Sequence, residues 1–274
     1  LCCVSARQEK PLLSPETHIK YSSLHLGQMN YEFPLSESQR EALHHFFDIY
    51  DYEILAVNGP PGTGKTTLIH SIIASLWVKA AYENSNKPPI IAIASATNQA
   101  VTNVIDSFSR VFNSSKLATN KEAKDRLRRF INSRGDIEQF SARWLPDVCS
   151  YGLYLASSGK YKKNSDNTDW QITNTMEAGF PSRENDSNYV ENGTKYFLER
   201  ASSYFGEDIE NLDTAKKHIH KELEKAVRAI ENIVDSRAEL YRVIKTIFTQ
   251  FPDLDQNEEL ESQLTNKLYV LKQV

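Results

Sequence analysis

Gly59, Pro60, Pro61, Gly62, Thr63, Gly64, Lys65, Thr66 and Thr67 stand in the order G-P-P-G-T-G-K-T-T, the spacing of a phosphate-binding loop. The residue types suit that chemistry. Gly59, Gly62 and Gly64 let the backbone curl until several N–H groups converge on phosphate oxygens. A helix that starts near Lys65 adds unpaired N–H groups and the positive end of its dipole. Lys65 can then bring its charge to the β- and γ-phosphates, and the Thr66 hydroxyl can ligate Mg²⁺. The alternative is a chance glycine-rich turn between a strand and a helix, and the flanks argue against it. The run from Glu53 to Val57 reads as a buried strand, and Leu68, Ile69, Ile72, Ile73, Leu76 and Trp77 recur at helical spacing after the loop. Such a loop binds a nucleoside triphosphate, or descends from one that does.

The elements that must position this loop follow from the surrounding pattern. Ser36 or Ser38 can cap a helix whose apolar stripe is Ala42, Leu43, Phe46, Phe47 and Tyr50. Gln39 lies in its first turn. A glutamine there is ordinarily solvated, but a carboxamide offers both the donor and the acceptor that an adenine edge requires. Beyond the loop helix, residues 90–94 form a second continuous apolar run of the buried, parallel kind. Ser95, Asn98 and Gln99 follow and lead into a helix with Val101, Val104, Ile105, Phe108 and Val111 on one face. The order from 39 to 112 is helix, strand, loop, helix, strand, helix. This is the alternation of a doubly wound, RecA-like parallel sheet.

Three pieces in fixed order carry a resemblance: residues 35–42 with Gln39, the loop 59–66, and residues 94–104 with Ser95, Asn98 and Asn103. Together they resemble the first RecA-like domain of superfamily 1 helicases, and most closely the branch that contains the nonsense-mediated-decay and Dna-two-like helicases. The likeness covers about residues 34–112. It implies that Gln39 reads adenine, so that the nucleotide is ATP. It implies that Lys65 and Thr66 handle phosphate and Mg²⁺, and that Ser95, Asn98 and Asn103 lie beside single-stranded DNA or RNA. The chain departs from the family pattern in one respect. The family uses an apolar strand ending in Asp-Glu to hold Mg²⁺ and position water, and arginines from a second RecA-like domain. Residues 232–235 and the pair Glu207 and Asp208 do not supply that strand. The chain by itself is therefore expected to hydrolyse ATP negligibly.

Past Phe112 the alternation stops. The basic residues between Lys121 and Arg134 read as a solvated helical face in preference to a nucleic-acid patch. Residues 140–205 mix aromatics with a polar, Asn- and Ser-rich middle; Lys160, Lys162 and Lys163 beside those aromatics could stack bases, and a small irregular subdomain is the plainer account. From Asn211 a seven-residue row takes over: Leu212, Ile219, Ala226, Ile233, Leu240 and Ile247, with Leu223, Ile230 and Ile244 between. This spacing predicts a coiled-coil seam. Pro252 stops the helix, and Leu260, Leu264, Leu268 and Leu271 predict a second one. The pair reads as an antiparallel hairpin projecting from the core.

Composition bounds the remainder. A net charge of −4 and a pI near 6.0 exclude a polycation built wholly for nucleic acid. Cys2, Cys3 and Cys149 have no metal spacing and are too few for a disulfide framework. No apolar run approaches ~18 residues, so no membrane partner is expected and a cytoplasmic setting is the default. Leu1 in place of Met, and a helical pattern still running at Val274, read as a piece of a longer protein. The expected organisation is a tail over 1–33, the N-terminal half of a P-loop RecA-like domain over 34–115, an irregular and helical insertion over 116–205, and the hairpin over 206–274. Two functions fit. One is the N-terminal part of an ATP-dependent helicase or translocase. The other is an ATP-sensing module of the AAA/P-loop class that recruits a protein partner through its coiled coil.

Overall fold

The computed structural model describes residues 12–28, 34–109, 144–145, 152–155, 171–173 and 185–252. The basic stretch 121–134, the lysines near 160, the three cysteines and the second hairpin helix lie outside the described residues. The described chain runs α1 (Pro15–Ser22), α2 (Glu37–Asp48), α3 (Lys65–Tyr82), α4 (Asn98–Ser109), β1 (Leu153–Leu155), β2 (Gln171–Thr173), α5 (Ser187–Phe205) and α6 (Leu212–Gln250).

Local chemistry sets the helix starts. The Ser14 hydroxyl accepts from Thr17 N–H, and Pro15 opens α1 where its missing donor costs nothing. Ser36 rather than Ser38 caps α2. Its hydroxyl accepts from the Gln39 backbone N–H while the Gln39 carboxamide accepts from Ser36 N–H at 2.8 Å, a full capping box. Asn211 caps α6 through Thr214 N–H at 2.9 Å. Leu35, Leu43 and Leu68 close a core between α2 and α3, with Ala42, Phe46, Phe47 and Ile72 packed around it.

Residues 12–28 are not a detached tail. α1 packs against α2 and α6, and the chain after it lies on α3, where Gly27 exchanges hydrogen bonds with the Ser75 hydroxyl. A Cβ at Gly27 would stand 2.6 Å from the Ala74 backbone, so only glycine permits this approach.

Histidines seal the α1–α2 contact. His18 Nδ1 and His44 Nδ1 stand 3.0 Å apart, and Tyr21 donates to Asp48 at 2.7 Å. Two ring nitrogens at that distance hold one proton between them, so at least one must be a neutral acceptor. His44 is 5% exposed, and burial, with His18, His25, Arg40 and His45 around it, lowers its pKa from 6.5 to about 4. Burial likewise lowers His25, whose Nε2 has no partner among the described residues. Among the described residues α6 meets α1 in the ion pair of Lys245 with Glu16. The unfolded chain protonates His44 first, so the stability contributed by neutral His44 is whole above pH 6.5 and is lost as pH falls towards 4. We expect the unfolding free energy to drop by about 2 kcal/mol between pH 7 and pH 5 through this residue. Urea titrations should show that drop, and His44→Gln should remove it.

The expected parallel sheet is not formed among the described residues. The runs 53–57 and 90–94 carry no ladder, and Ile54 and Ile90 are 80% and 96% exposed. A parallel strand is buried only when strands flank both edges and helices cover both faces, and the described residues supply neither for these two runs. The ladder that is described lies in the insertion: β1 and β2 pair in parallel, Leu153 opposite Gln171 and Leu155 opposite Thr173.

α6 corrects two expectations. It does not stand away from the body along its described length. His220 Nε2 meets the Tyr82 carbonyl at the end of α3 at 3.0 Å, and Lys245 pairs with Glu16 of α1. Those contacts are about 37 Å apart along one helix, so α6 lies across α3 and α1. Along the described length the seven-residue row is not the most buried face; its expected partner helix lies outside the described residues. Ala215, Val227 and Val234 are buried, whereas Ile233 and Leu240 are 62% and 58% exposed. Val227 and Val234 each lie one residue beyond the expected row, and Leu223, Ile230 and Ile244 of the intervening positions are half-buried. A helix that packs on several elements in turn needs a broad stripe at period 3.6, and a strict seven-residue row drifts off it by about 20° per heptad.

Candidate nucleotide and nucleic-acid site

The phosphate loop runs into α3 without a side-chain cap, and Gly64, the residue before the helix, is left-handed with φ 74°. Gly62 is left-handed as well, with φ 84°. The first-turn N–H groups of α3 therefore face the loop rather than a capping oxygen. The loop closes on itself through Thr63, whose hydroxyl donates to the Pro60 carbonyl at 2.8 Å. Glycine is favoured at 62 and 64 by their left-handed backbone, and the space at 59 and 64 is taken by side-chain ends. A Cβ on Gly59 would meet the Thr63 hydroxyl at 2.7 Å, and one on Gly64 would meet Gln39 Nε2 at 2.3 Å. Lys65 folds back so that its ammonium donates to the Gly59 and Pro60 carbonyls at 2.5 and 2.8 Å. The charge thus already sits over the loop. Pro61 and Thr66 are exposed around it, and Thr67 lies beside Gly64.

Gln39 is placed on the loop. Its Nε2 donates to the Thr63 carbonyl at 2.8 Å and the Gly64 carbonyl at 3.1 Å, while Oε1 completes the capping box. The carboxamide that sequence reading assigned to adenine is thus the clasp between α2 and the loop.

The segment 94–104 divides between a turn and a helix. Ser95 accepts from Thr97 N–H at 3.3 Å, and Asn98 is the first residue of α4. Asn103 is exposed further along the same helix. α4 is held to α3 by His70, whose Nε2 lies 3.2 Å from the Val104 carbonyl and whose ring meets Phe108 edge-on. One helix, α3, therefore carries the phosphate loop at its start and the 94–104 helix against its middle. Sequence reading passed over two contributors. His70 reads as one polar residue on an apolar helix, and its offset from Val104 gives no local signal. Tyr154, which donates to Asn98 Oδ1 at 2.8 Å, is signalled only by the alternation Leu153, Tyr154, Leu155, with the tyrosine alone facing inward. Among the described residues no cluster of three or more His, Cys, Asp or Glu side chains could hold a metal. No helix of the described residues is long and apolar enough to cross a membrane.

A left-handed glycine loop that opens directly into a helix, with a lysine ammonium held over its carbonyls, is the site of a P-loop nucleoside triphosphatase, here of the helicase-like class. The chain belongs to the AAA domain family, whose model matches residues 34–250. That match takes in α2, the phosphate loop and all of α6. No curated protein and no solved structure matches the chain.

Proposed function

We propose that this chain is the N-terminal part of an ATP-dependent DNA or RNA helicase or translocase of the nonsense-mediated-decay and Dna-two-like kind. It binds ATP through Gly59–Thr67 and single-stranded nucleic acid through residues 94–104. The observation that carries the reading is that α3 bears the phosphate loop at its first turn and clamps α4 through His70, so strain at the triphosphate has one rigid element along which to reach Asn98. On this reading residues 53–57 and 90–94 are strands of a RecA-like sheet. The ammonium of Lys65 exchanges the Gly59 and Pro60 carbonyls for β- and γ-phosphate oxygens. Gln39 trades its hold on Thr63 and Gly64 for the adenine edge. Thr66 would hold a nucleotide-borne Mg²⁺, whose charge would offset that of the phosphates. Ser95, Asn98 and Asn103 line the strand.

A second reading, an ATP-gated module that recruits a protein, draws on the exposed apolar row of Leu212, Ile233, Leu240 and Val243 on α6. One titration separates the two. The chain should bind a fluorescent ATP analogue with Mg²⁺ and a labelled single-stranded oligonucleotide, and should prefer the single strand to its duplex. Nucleotide binding without strand binding favours the recruiting module, and absence of both removes the proposal.

A further inference from the structure

Asn98 has a partner from a distant part of the chain. β1 turns Tyr154 inward, 7% exposed, onto Ile105 and Val101 of α4. Asn98, Val101 and Ile105 are spaced to share one helix face, so the ring packs on the lower part of that face and the hydroxyl reaches its head. There it donates to Asn98 Oδ1 at 2.8 Å. Among the described residues Nδ2 of Asn98 has no partner, and the residue is exposed. A free asparagine carboxamide can turn over and present either its oxygen or its nitrogen to a ligand. The phenol holds the oxygen inward and leaves two N–H donors at the surface.

We propose that Tyr154 is a positioning residue for single-strand binding. It fixes the Asn98 carboxamide so that it meets only hydrogen-bond acceptors on the strand, a phosphate oxygen or a base carbonyl. The inference rests on the strand-binding reading above and adds to it. The segment 116–205, which the sequence leaves as an irregular insertion, contributes a working part of the strand site. It also states the polarity of the contact: Asn98 donates.

The test is a double-mutant cycle on the full chain, read by the anisotropy of a short fluorescein-labelled oligothymidylate and of the matching oligouridylate. Tyr154→Phe keeps the packed ring and removes one hydrogen bond, so affinity should fall about three- to tenfold. Asn98→Ala should cost at least as much, and Asn98→Asp, which replaces the donors by acceptors, should match or exceed it. The double variant Tyr154→Phe, Asn98→Ala should bind no worse than Asn98→Ala alone, because the phenol acts through the carboxamide. Binding of the ATP analogue, measured on each variant, reports that the fold is intact. Wild-type affinity in Tyr154→Phe, or losses that multiply in the double variant, overturns the positioning role while leaving strand binding standing. A wild-type chain that binds neither oligonucleotide overturns the strand-binding reading and this inference with it.

Discussion

Lys65→Ala is expected to lose between tenfold and a hundredfold in affinity for ATP with Mg²⁺ and to keep its fold. On the proposed reading the lysine would give charge-assisted hydrogen bonds to phosphate, each worth about 1.5–3 kcal/mol. Nothing in the core depends on it: its side chain is exposed, and its partners are the loop carbonyls of Gly59 and Pro60. Those exposed contacts are worth about 1 kcal/mol or less to stability. In any longer protein that carries this loop, hydrolysis should fall at least about a hundredfold, since the same ammonium faces the charge that builds up in the transition state. Titration with a fluorescent ATP analogue, alongside far-ultraviolet circular dichroism, decides it. Undiminished affinity would detach Lys65 from the phosphates. A collapse of helicity would make it a structural residue.

The second large effect separates two faces of α6. Val227 is 3% exposed, whereas Ile233 lies on the expected coiled-coil row and is largely exposed. Val227→Asp buries an unpaired carboxylate against the body and should cost about 3–5 kcal/mol. Ile233→Asp exchanges one solvated side chain for another and should fall within about 0.5 kcal/mol of the parent. Urea unfolding of the two variants measures the contrast. If Ile233→Asp is the more damaging, the seven-residue row is the true seam and α6 is engaged by a partner helix.

The features legible in the sequence are those made by neighbours in the chain. The loop from Gly59 to Thr67, the start of α3 and the serine cap of α2 all depend on residues within about one turn of each other. Their geometry follows from residue type and spacing, because the backbone dihedrals and the short hydrogen bonds leave few alternatives. The P-loop family was legible for the same reason, since the loop that carries it is short and contiguous. The long row on α6 misled because periodicity reports that a helix has an apolar side. It does not report the direction from which that side will be covered.

What the sequence determined by itself, then, is the phosphate chemistry: three glycines at 59, 62 and 64, and a lysine and a threonine at the first turn of a helix. Tertiary structure alone decided which of several competent partners each polar group would take. Gln39 offers a donor and an acceptor to any ligand, and packing of Leu43 on Leu68 brings it to Thr63 and Gly64 instead. Asn98 could present either end of its carboxamide until β1, far along the chain, delivers the Tyr154 hydroxyl to its oxygen. Val227 and Ile233 are both aliphatic, and the folded chain buries the first and leaves the second largely in water. The physical reason is common to all three. A hydrogen bond or an apolar contact has a strength set by residue type, but its partner is set by which surfaces the whole chain can bring together while leaving the fewest buried polar groups unpaired.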